Sequence, residues 1–436
     1  MEYLRGIFGL AIIIVIAYLF SANRRGIDWR LVAMGILIQL VFGVLIGKVE
    51  VAQQAFIYIS EKFVKFLSFA LKGAEFLYGD LAKNSEGTTG VRHNLGFLFV
   101  FQALPTVIFF SSITSGLYYL GVLQKVVYGF AWVMAKTMRL SGSESLSASA
   151  NIFMGQTEAP LLVKPFIPRM TQSELHCVMV GGMATLAGSV LAAYVSFLGG
   201  GNPEEQARYA TYLLSASIMN APAAIVLAKI FYPETDHDKI DRSLSVNKEQ
   251  IGTSVVEALA MGASDGLKLA LNIGAMLLAF IAVIYAVNWI LVDFVGALTG
   301  LNDFVRESTG GTYSGFSLQY ILGQVFRIFA FCIGVSWQES LQVGSLLGQK
   351  MVINEFVAYL DLASMKQAGV LSEKSIRIAT YALCGFANFS SIAIQIGGIG
   401  GMAPSRTGDL AKLGFRAMVA ASLATLMTAT IAGAIF

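Results

Sequence analysis

Apolar residues recur in runs at about 3–21, 30–48, 96–122, 173–198, 207–232, 267–292, 374–399 and 409–436. Each run approaches the ~20 residues that a helix rising about 1.5 Å per residue needs to cross a bilayer. The pattern predicts about eight transmembrane helices. Two regions break it, 143–170 and 316–360. Each has an apolar arm, a polar interruption and a second apolar arm: ESLSASANIFM / GQTEAP / LLVKPFIPRM, and FSLQYILGQVFRIFAFCIGV / SWQES / LQVGSLLGQKMVINEFVAYL. The arms of the first are too short to span, so both regions are expected to be re-entrant hairpins.

Basic residues orient the runs. With the N-terminus outside, successive inner loops hold Arg24, Arg25 and Arg30; Lys125, Lys136 and Arg139; Lys229, Lys239 and Arg242; and Arg406, Lys412 and Arg416. The outer stretch 199–206 reads GGGNPEEQ. Both termini then fall on the outer face, which for a bacterial inner membrane is the periplasm. The hairpins enter from opposite faces, and each precedes two spans. That is the layout of an inverted repeat, in which sites form near the midplane from broken helices. The expected division is a scaffold at 1–142, a first repeat at 143–232, a connecting loop, surface helix and scaffold span at 233–315, and a second repeat at 316–436. Segments 52–72, 124–139 and 251–265 mix apolar and charged residues as surface-lying helices do.

Composition agrees. Only 13% of the 436 residues are charged and 56% are apolar, and the mean hydropathy is +0.68. A net charge of +3 without a basic run gives no footprint for nucleic acid. Cys177, Cys332 and Cys384 lie in apolar stretches without pairing, and His93, His176 and His237 have no metal-binding spacing. Neither a metal enzyme nor a nucleophile–base set emerges. The first run resembles a signal peptide, but Arg24 and Arg25 follow it rather than precede it. It is read as a retained helix.

Four polar clusters interrupt this apolar background: Gln156–Thr157–Glu158, Trp337–Gln338–Glu339–Ser340, ATLAGS at 184–189 and GFANFSS at 385–391. An acid at bilayer depth costs about 2.5–3.5 kcal/mol on insertion scales, and irregular backbone survives there only beside a cavity or ligand. For Glu158 and Glu339 the plainer alternative is an ion pair or a helix-capping carboxylate. For Thr185 and Ser189, and for Asn388 and Ser391, it is hydrogen bonding and packing between helices. The two turns contain no Lys or Arg, so anionic solutes fit poorly. A neutral, hydroxyl-rich solute fits better: carboxylates accept from sugar hydroxyls, the Gln156 amide both donates and accepts, and Phe386 offers a face to a flat ring. A channel would need polar rings along a pore, which clusters confined to turns do not supply.

NIFMGQTEAP (151–160), ASDGLKLALNIGAML (263–277), NEFVAY (354–359) and CGFANFSSIAI (384–394) resemble the concentrative nucleoside transporter family, and the likeness runs through essentially the whole chain. The resemblance implies an all-α membrane fold with eight spans, two opposed hairpins and interfacial helices. It also implies a homotrimer in which a transport domain moves like an elevator against a scaffold. It places Gln156 and Thr157 on the nucleobase with Glu158 beside them. Val190, Leu269 and Phe386 become apolar base contacts, and Glu339, Asn388 and Ser391 ribose contacts. SWQES departs from the related pattern at Ser336 and Gln338. Lys268 adjoins Leu269 and pairs with Asp265 or lies near the solute.

The family's sodium positions fall on Asn151 and Thr185 and on the carbonyls of Met154 and Leu186. A hard cation of this kind seeks about six oxygens. Asn151 is the informative residue, because proton-coupled relatives tend to lack an amide there. The rival is proton coupling through Glu158 or Glu339. The expectation is a sodium-driven nucleoside symporter.

Overall fold

The computed structural model describes residues 2–83, 98–244 and 252–436. His93, the start of the third apolar run and residues 245–251 lie outside them. All regular secondary structure among the described residues is helical. The crossings are Glu2–Leu19, Trp29–Lys48, Leu104–Tyr119, Gln172–Ala184 with Gly188–Gly199, Pro203–Phe231, Val255–Asn288, Glu373–Leu383 with Phe389–Met402, and Thr407–Ile435.

The expected surface segments 52–72 and 124–139 form the helices Glu50–Tyr78 and Val122–Met138. The expected surface segment 251–265, of which 252–265 are described, does not form a separate element there. Ser254 caps Val255–Asn288 by accepting from the Glu257 N–H, and the helix then runs unbroken through Asp265. It packs on Leu104–Tyr119 through small residues: a Cβ on Gly262 or Gly266 would lie 2.5 Å from Ser115 or 2.8 Å from Ile108.

Two crossings are broken where the sequence places ATLAGS and GFANFSS. Thr185 (φ −113, ψ 169) ends the first half-helix in extended backbone. In the second, Gly385 has φ +152, and a Cβ there would meet the Ala184 carbonyl at 2.7 Å. The two breaks therefore touch, and only glycine permits the approach. Asn220, fully buried on Pro203–Phe231, donates to the carbonyls of Ala184 (2.9 Å) and Cys384 (2.7 Å) and fastens one break to the other.

The first hairpin starts at Gly142–Ala150, which opens on a Ser141/Glu144 capping box. Its second arm is not an α-helix. Pro160, Pro165 and Pro168 leave only the 3-10 turns Ala159–Val163 and Ile167–Arg169. The base of this hairpin meets the start of the broken helix, where Ser143 donates to Glu174 at 3.2 Å. Its tip meets the break, where the Gly188 N–H donates to the Phe153 carbonyl at 3.2 Å.

The same relations locate the second hairpin and move its tip. The SWQES turn joins Leu318–Cys332 to Ser340–Val352, but it sits at the start of Glu373–Leu383, because Glu339 accepts from Ser372 and Ser375 there. The residues that reach the second break flank the join between Ser340–Val352 and Glu355–Gln367: Lys350 donates to the Ala382 carbonyl and Glu355 accepts from Asn388. The second hairpin is thus Ser340–Gln367, with NEFVAY at its tip. SWQES is polar because it lies at one end of the fold, away from the breaks, where Trp337 is 50% exposed. Arg5, near the start of the first helix, donates to the Phe331 and Val335 carbonyls at that same end.

Gln172–Gly199, Pro203–Phe231 and Pro404–Ile435 form the centre, with 94%, 89% and 89% of their apolar stretches buried, against 11% for Val255–Thr299. The interior body is the two hairpins, two broken helices and two long helices. The Leu104–Tyr119/Val255–Asn288 pair lies against its flank.

Candidate functional site

The two hairpin tips and two helix breaks converge, and their polar side chains bond across the repeats. Gln156, 7% exposed, donates from Nε2 to Ser391 Oγ at 3.1 Å. Its Oε1 accepts from Gln395 Nε2 at 3.2 Å, and Gln395 also donates to the Met179 carbonyl. Asn388 caps Phe389–Met402: its Oδ1 accepts from the Ser391 N–H at 2.9 Å and from Ser390 Oγ at 2.7 Å. Its Nδ2 donates to Glu355 at 2.9 Å, and the Tyr194 hydroxyl donates to the other Glu355 oxygen at 3.1 Å. Amide, hydroxyls and carboxylate thus share one buried cluster.

Thr157 points its methyl at the second broken helix, where a Cβ on Gly398 would lie 2.9 Å from it. Val190 is buried in the first turn of Gly188–Gly199, while Phe386 in the second break and Leu269 on Val255–Asn288 are half-buried. Glu158 accepts from the Gly155 N–H at 3.2 Å and lines a cavity of about 370 Å³ with Phe110, Ser111, Thr114, Ser189 and Asp265. That volume lies within the range of small-molecule sites. The cavity separates the first hairpin from the flanking helix pair. Lys268 pairs with Asp265 at 3.3 Å, with both side chains exposed, which makes it a weak surface pair.

Glu339 is not in this cluster. Its carboxylate accepts from Ser336 (2.9 Å), Ser372 (3.0 Å) and Ser375 (2.6 Å). From Ser375 the helix runs on to Leu383 before the break, roughly 12 Å of axis. Glu339 is a cap on that helix, and the Ser336 departure belongs to the cap. The acid beside Asn388 is Glu355. Its signal was present in the sequence, inside NEFVAY, one of the stretches that carries the family resemblance. Gln395 lies four residues after Ser391 and therefore on the same helix face, a spacing that could have flagged it. Asn220 carried no signal of its own.

Asn151 is 0% exposed, and neither its amide oxygen nor its nitrogen has a partner among the described residues. A buried amide so left costs about 1–3 kcal/mol per unmade bond. It lies beside the first broken helix, where a Cβ on Gly181 would come within 3.2 Å of its Nδ2. Thr185 donates to the Gly181 carbonyl at 2.8 Å, which leaves its oxygen lone pairs to accept. Met154 and Leu186 are buried in the same tip and break. An unpartnered amide oxygen, a hydroxyl and irregular backbone suit a small hard cation, so the residues present fit sodium.

Family models described as Na+ dependent nucleoside transporter N-terminus and C-terminus match residues 8–81 and 212–433, and one described as nucleoside recognition, Gate, matches 100–201. An uncharacterised transporter of Haemophilus influenzae is 44% identical over 99% of this chain and 98% of its own length. Sodium/nucleoside cotransporter 1 of Mus musculus is 39% identical over 100% of this chain, which spans 64% of that longer protein. The structure of CNTnw in an inward-facing substrate-bound state superposes with a TM-score of 0.88 at 41% identity, covering 100% of this chain and 98% of that one. Sharing fold, motifs and near-complete coverage with these transporters, the chain belongs to the Na+-dependent concentrative nucleoside transporter family, whose members are transporters rather than enzymes.

Proposed function

We propose that this chain imports nucleosides across a bacterial inner membrane, driven by inward movement of sodium, with both termini on the periplasmic side. The observation that carries the ion reading is the fully buried Asn151 amide without a partner. Sodium, when bound, supplies the positive charge that this oxygen-lined gap lacks. Asn151, Thr185 and the carbonyls of Met154 and Leu186 would hold it, and in doing so would brace the first tip against the first break.

The solute is read by both repeats. Gln156 and Thr157 face the base, with Glu158 beside them, and Val190, Leu269 and Phe386 pack against it. Glu355 takes the place expected of Glu339: with Asn388 and Ser391 it meets the ribose hydroxyls, and its carboxylate orients them as an acceptor. Gln156 bonds to Ser391 and Gln395, and a nucleoside bound here would exchange these bonds for its own. Asn151 and Gln156 lie on one tip, so ion and solute each raise the other's affinity by the same factor.

The transport domain is 143–232 with 316–436, and the scaffold is 1–142 with 233–315. Elevator movement of the first against the second is supported by the cavity between them. The poorly buried apolar face of Val255–Thr299 requires lipid or neighbouring copies, consistent with a homotrimer.

The test is uptake of labelled uridine into proteoliposomes with sodium and proton gradients imposed separately. Uptake is expected to follow sodium alone. Uptake that follows the proton gradient, or thermal stabilisation by leucine in place of uridine, would overturn the reading.

A further inference from the structure

Two half-helices end inside the protein, Gln172–Ala184 at Thr185 and Glu373–Leu383 at Cys384. The last carbonyls of a helix lack intrahelical donors and carry the equivalent of about half a negative charge. Away from water that charge needs a partner, and the two repeats meet the need differently.

In the second repeat the partner is built in. Lys350, 3% exposed, lies in the last turn of Ser340–Val352 and donates from Nζ to the Ala382 carbonyl at 2.9 Å and to Thr425 Oγ1 at 3.0 Å. Ala382 belongs to the last turn of Glu373–Leu383, so the ammonium sits on the negative end of that half-helix. Both oxygens are uncharged, and the space alongside is an apolar cavity of about 180 Å³ lined by Phe326, Phe329, Leu347, Leu423 and Leu426. The helix end, together with the nearby Glu355 carboxylate, is what makes this buried charge tolerable.

In the first repeat, no cationic side chain among the described residues stands at the corresponding place. Lys350 precedes the tip residue Asn354 by four positions. Four positions before Asn151 stands Ser147, fully buried, with its hydroxyl unpartnered like the Asn151 amide itself.

We propose that Lys350 is a tethered cation, occupying in the second repeat the place that a free cation takes in the first. As a positioning residue it holds the Cys384–Asn388 break permanently ordered, so that Glu355, Asn388 and Ser391 stand ready without an ion. Only the Gln156 half of the site then waits for sodium. This explains why two repeats of like construction would share one dissociable ion. It rests on the sodium reading for the contrast, but not for the role of Lys350.

The test is thermal melting of the purified full-length protein in detergent, in sodium chloride against choline chloride at constant ionic strength. Lys350→Arg should keep the wild-type dependence on sodium. Lys350→Met, which offers no ligand, should melt lower in both salts with an unchanged slope. Lys350→Asn, which offers an amide oxygen, should melt low in choline and recover in sodium. Its melting temperature should rise with the logarithm of sodium concentration about twice as steeply as wild type, because a second ion adds its own mass-action contribution. A wild-type slope in Lys350→Asn, a doubled slope in Lys350→Met, or no folded Lys350→Asn protein at any sodium concentration overturns the proposal. Wild-type melting that ignores sodium would instead count against the coupling ion, and the variants would still report on Lys350.

Discussion

Asn151 and Asn354 stand at equivalent places, where the first arm of each hairpin gives way to its tip. Asn354 caps the next helix, its Oδ1 accepting from the Val357 N–H at 3.0 Å. Asn151 closes Gly142–Ala150 through its backbone N–H alone, and among the described residues both its amide atoms are unpartnered, where Asn354 leaves only its Nδ2 so. The contrast extends to the rest of each tip: Glu355, Asn388 and Ser391 bond to one another or to Tyr194, while the first tip depends on Gln156 reaching across to Ser391 and Gln395. The bases differ as well. The first is held by ions, with Lys229 paired to Glu144 and donating to Ser173 at 2.9 Å. The second is held at one arm by a carboxylate and three serines, and at the other by Lys366, which pairs with Glu205 at 2.6 Å and donates to the Leu198 carbonyl at 2.8 Å. At these two positions the second repeat is the more nearly satisfied, and the first leaves a whole amide for something to be added. Such asymmetry lets a symmetric fold couple an ion to a solute.

The sharpest way to break this comparison is at Glu355. Glu355→Gln keeps the volume and removes the charge. Charge-assisted hydrogen bonds are about twice as strong as neutral ones, so two weakened bonds at about 1 kcal/mol each give roughly a 30-fold loss of uridine affinity. The expected readout is a raised uridine KM with little change in the sodium half-saturation concentration. A sodium effect as large as the uridine effect would show that the repeats do not divide the labour in this way.

Next is the clamp between the breaks. Asn220→Ala removes donors from the Ala184 and Cys384 carbonyls. A buried carbonyl without a donor costs about 1–3 kcal/mol in soluble cores, whereas hydrogen bonds in membrane bundles average nearer about 0.6 kcal/mol. Two bonds therefore give on the order of 1–3 kcal/mol, read as a lower melting temperature in detergent. Because the clamp joins the repeats, sodium and uridine should each stabilise the variant while their mutual enhancement shrinks. Undiminished coupling would place the communication elsewhere.

Asn151→Ala sharpens the comparison from the other side. It removes an unpartnered amide, so folding should survive. The loss of one charge-bearing contact should raise the sodium half-saturation concentration roughly tenfold. An unchanged half-saturation value for sodium-driven uptake would remove Asn151 from the ion site.

Much of this was legible in the sequence, for physical reasons. Apolar runs and basic loops report burial in lipid directly, and both helix breaks were marked by small and polar residues, ATLAGS and GFANFSS. Charge clusters were less reliable. SWQES and GQTEAP look alike as polar interruptions, yet one lies at one end of the fold and the other at its centre, because hydropathy does not encode depth along a helical hairpin. The second hairpin was accordingly placed one arm too early, and Glu339 was expected where Glu355 stands. In the second arm of the first hairpin, three prolines within nine residues forbid an α-helix. The segment 251–265 mixes charged and apolar residues as a surface helix does, yet from Ser254 it runs straight into Val255–Asn288, and mixed composition does not mark where a helix begins.

Glu339 supplies the smallest expected effect and the cleanest control. Its oxygens accept only from hydroxyls and an N–H at the start of Glu373–Leu383, at a half-exposed position where water can replace what is lost. Loss of a helix cap costs typically ~1 kcal/mol. Glu339→Gln should therefore lower the melting temperature slightly and leave uridine KM and sodium half-saturation within about twofold of wild type, since a cap adds stability to a helix without touching the solute. Measured beside Glu355→Gln, it separates the two acids by what they do rather than where they stand. A uridine KM that rises as steeply for Glu339→Gln as for Glu355→Gln would mean that the SWQES turn reaches the sugar during transport, and the ribose would then have to be assigned to both.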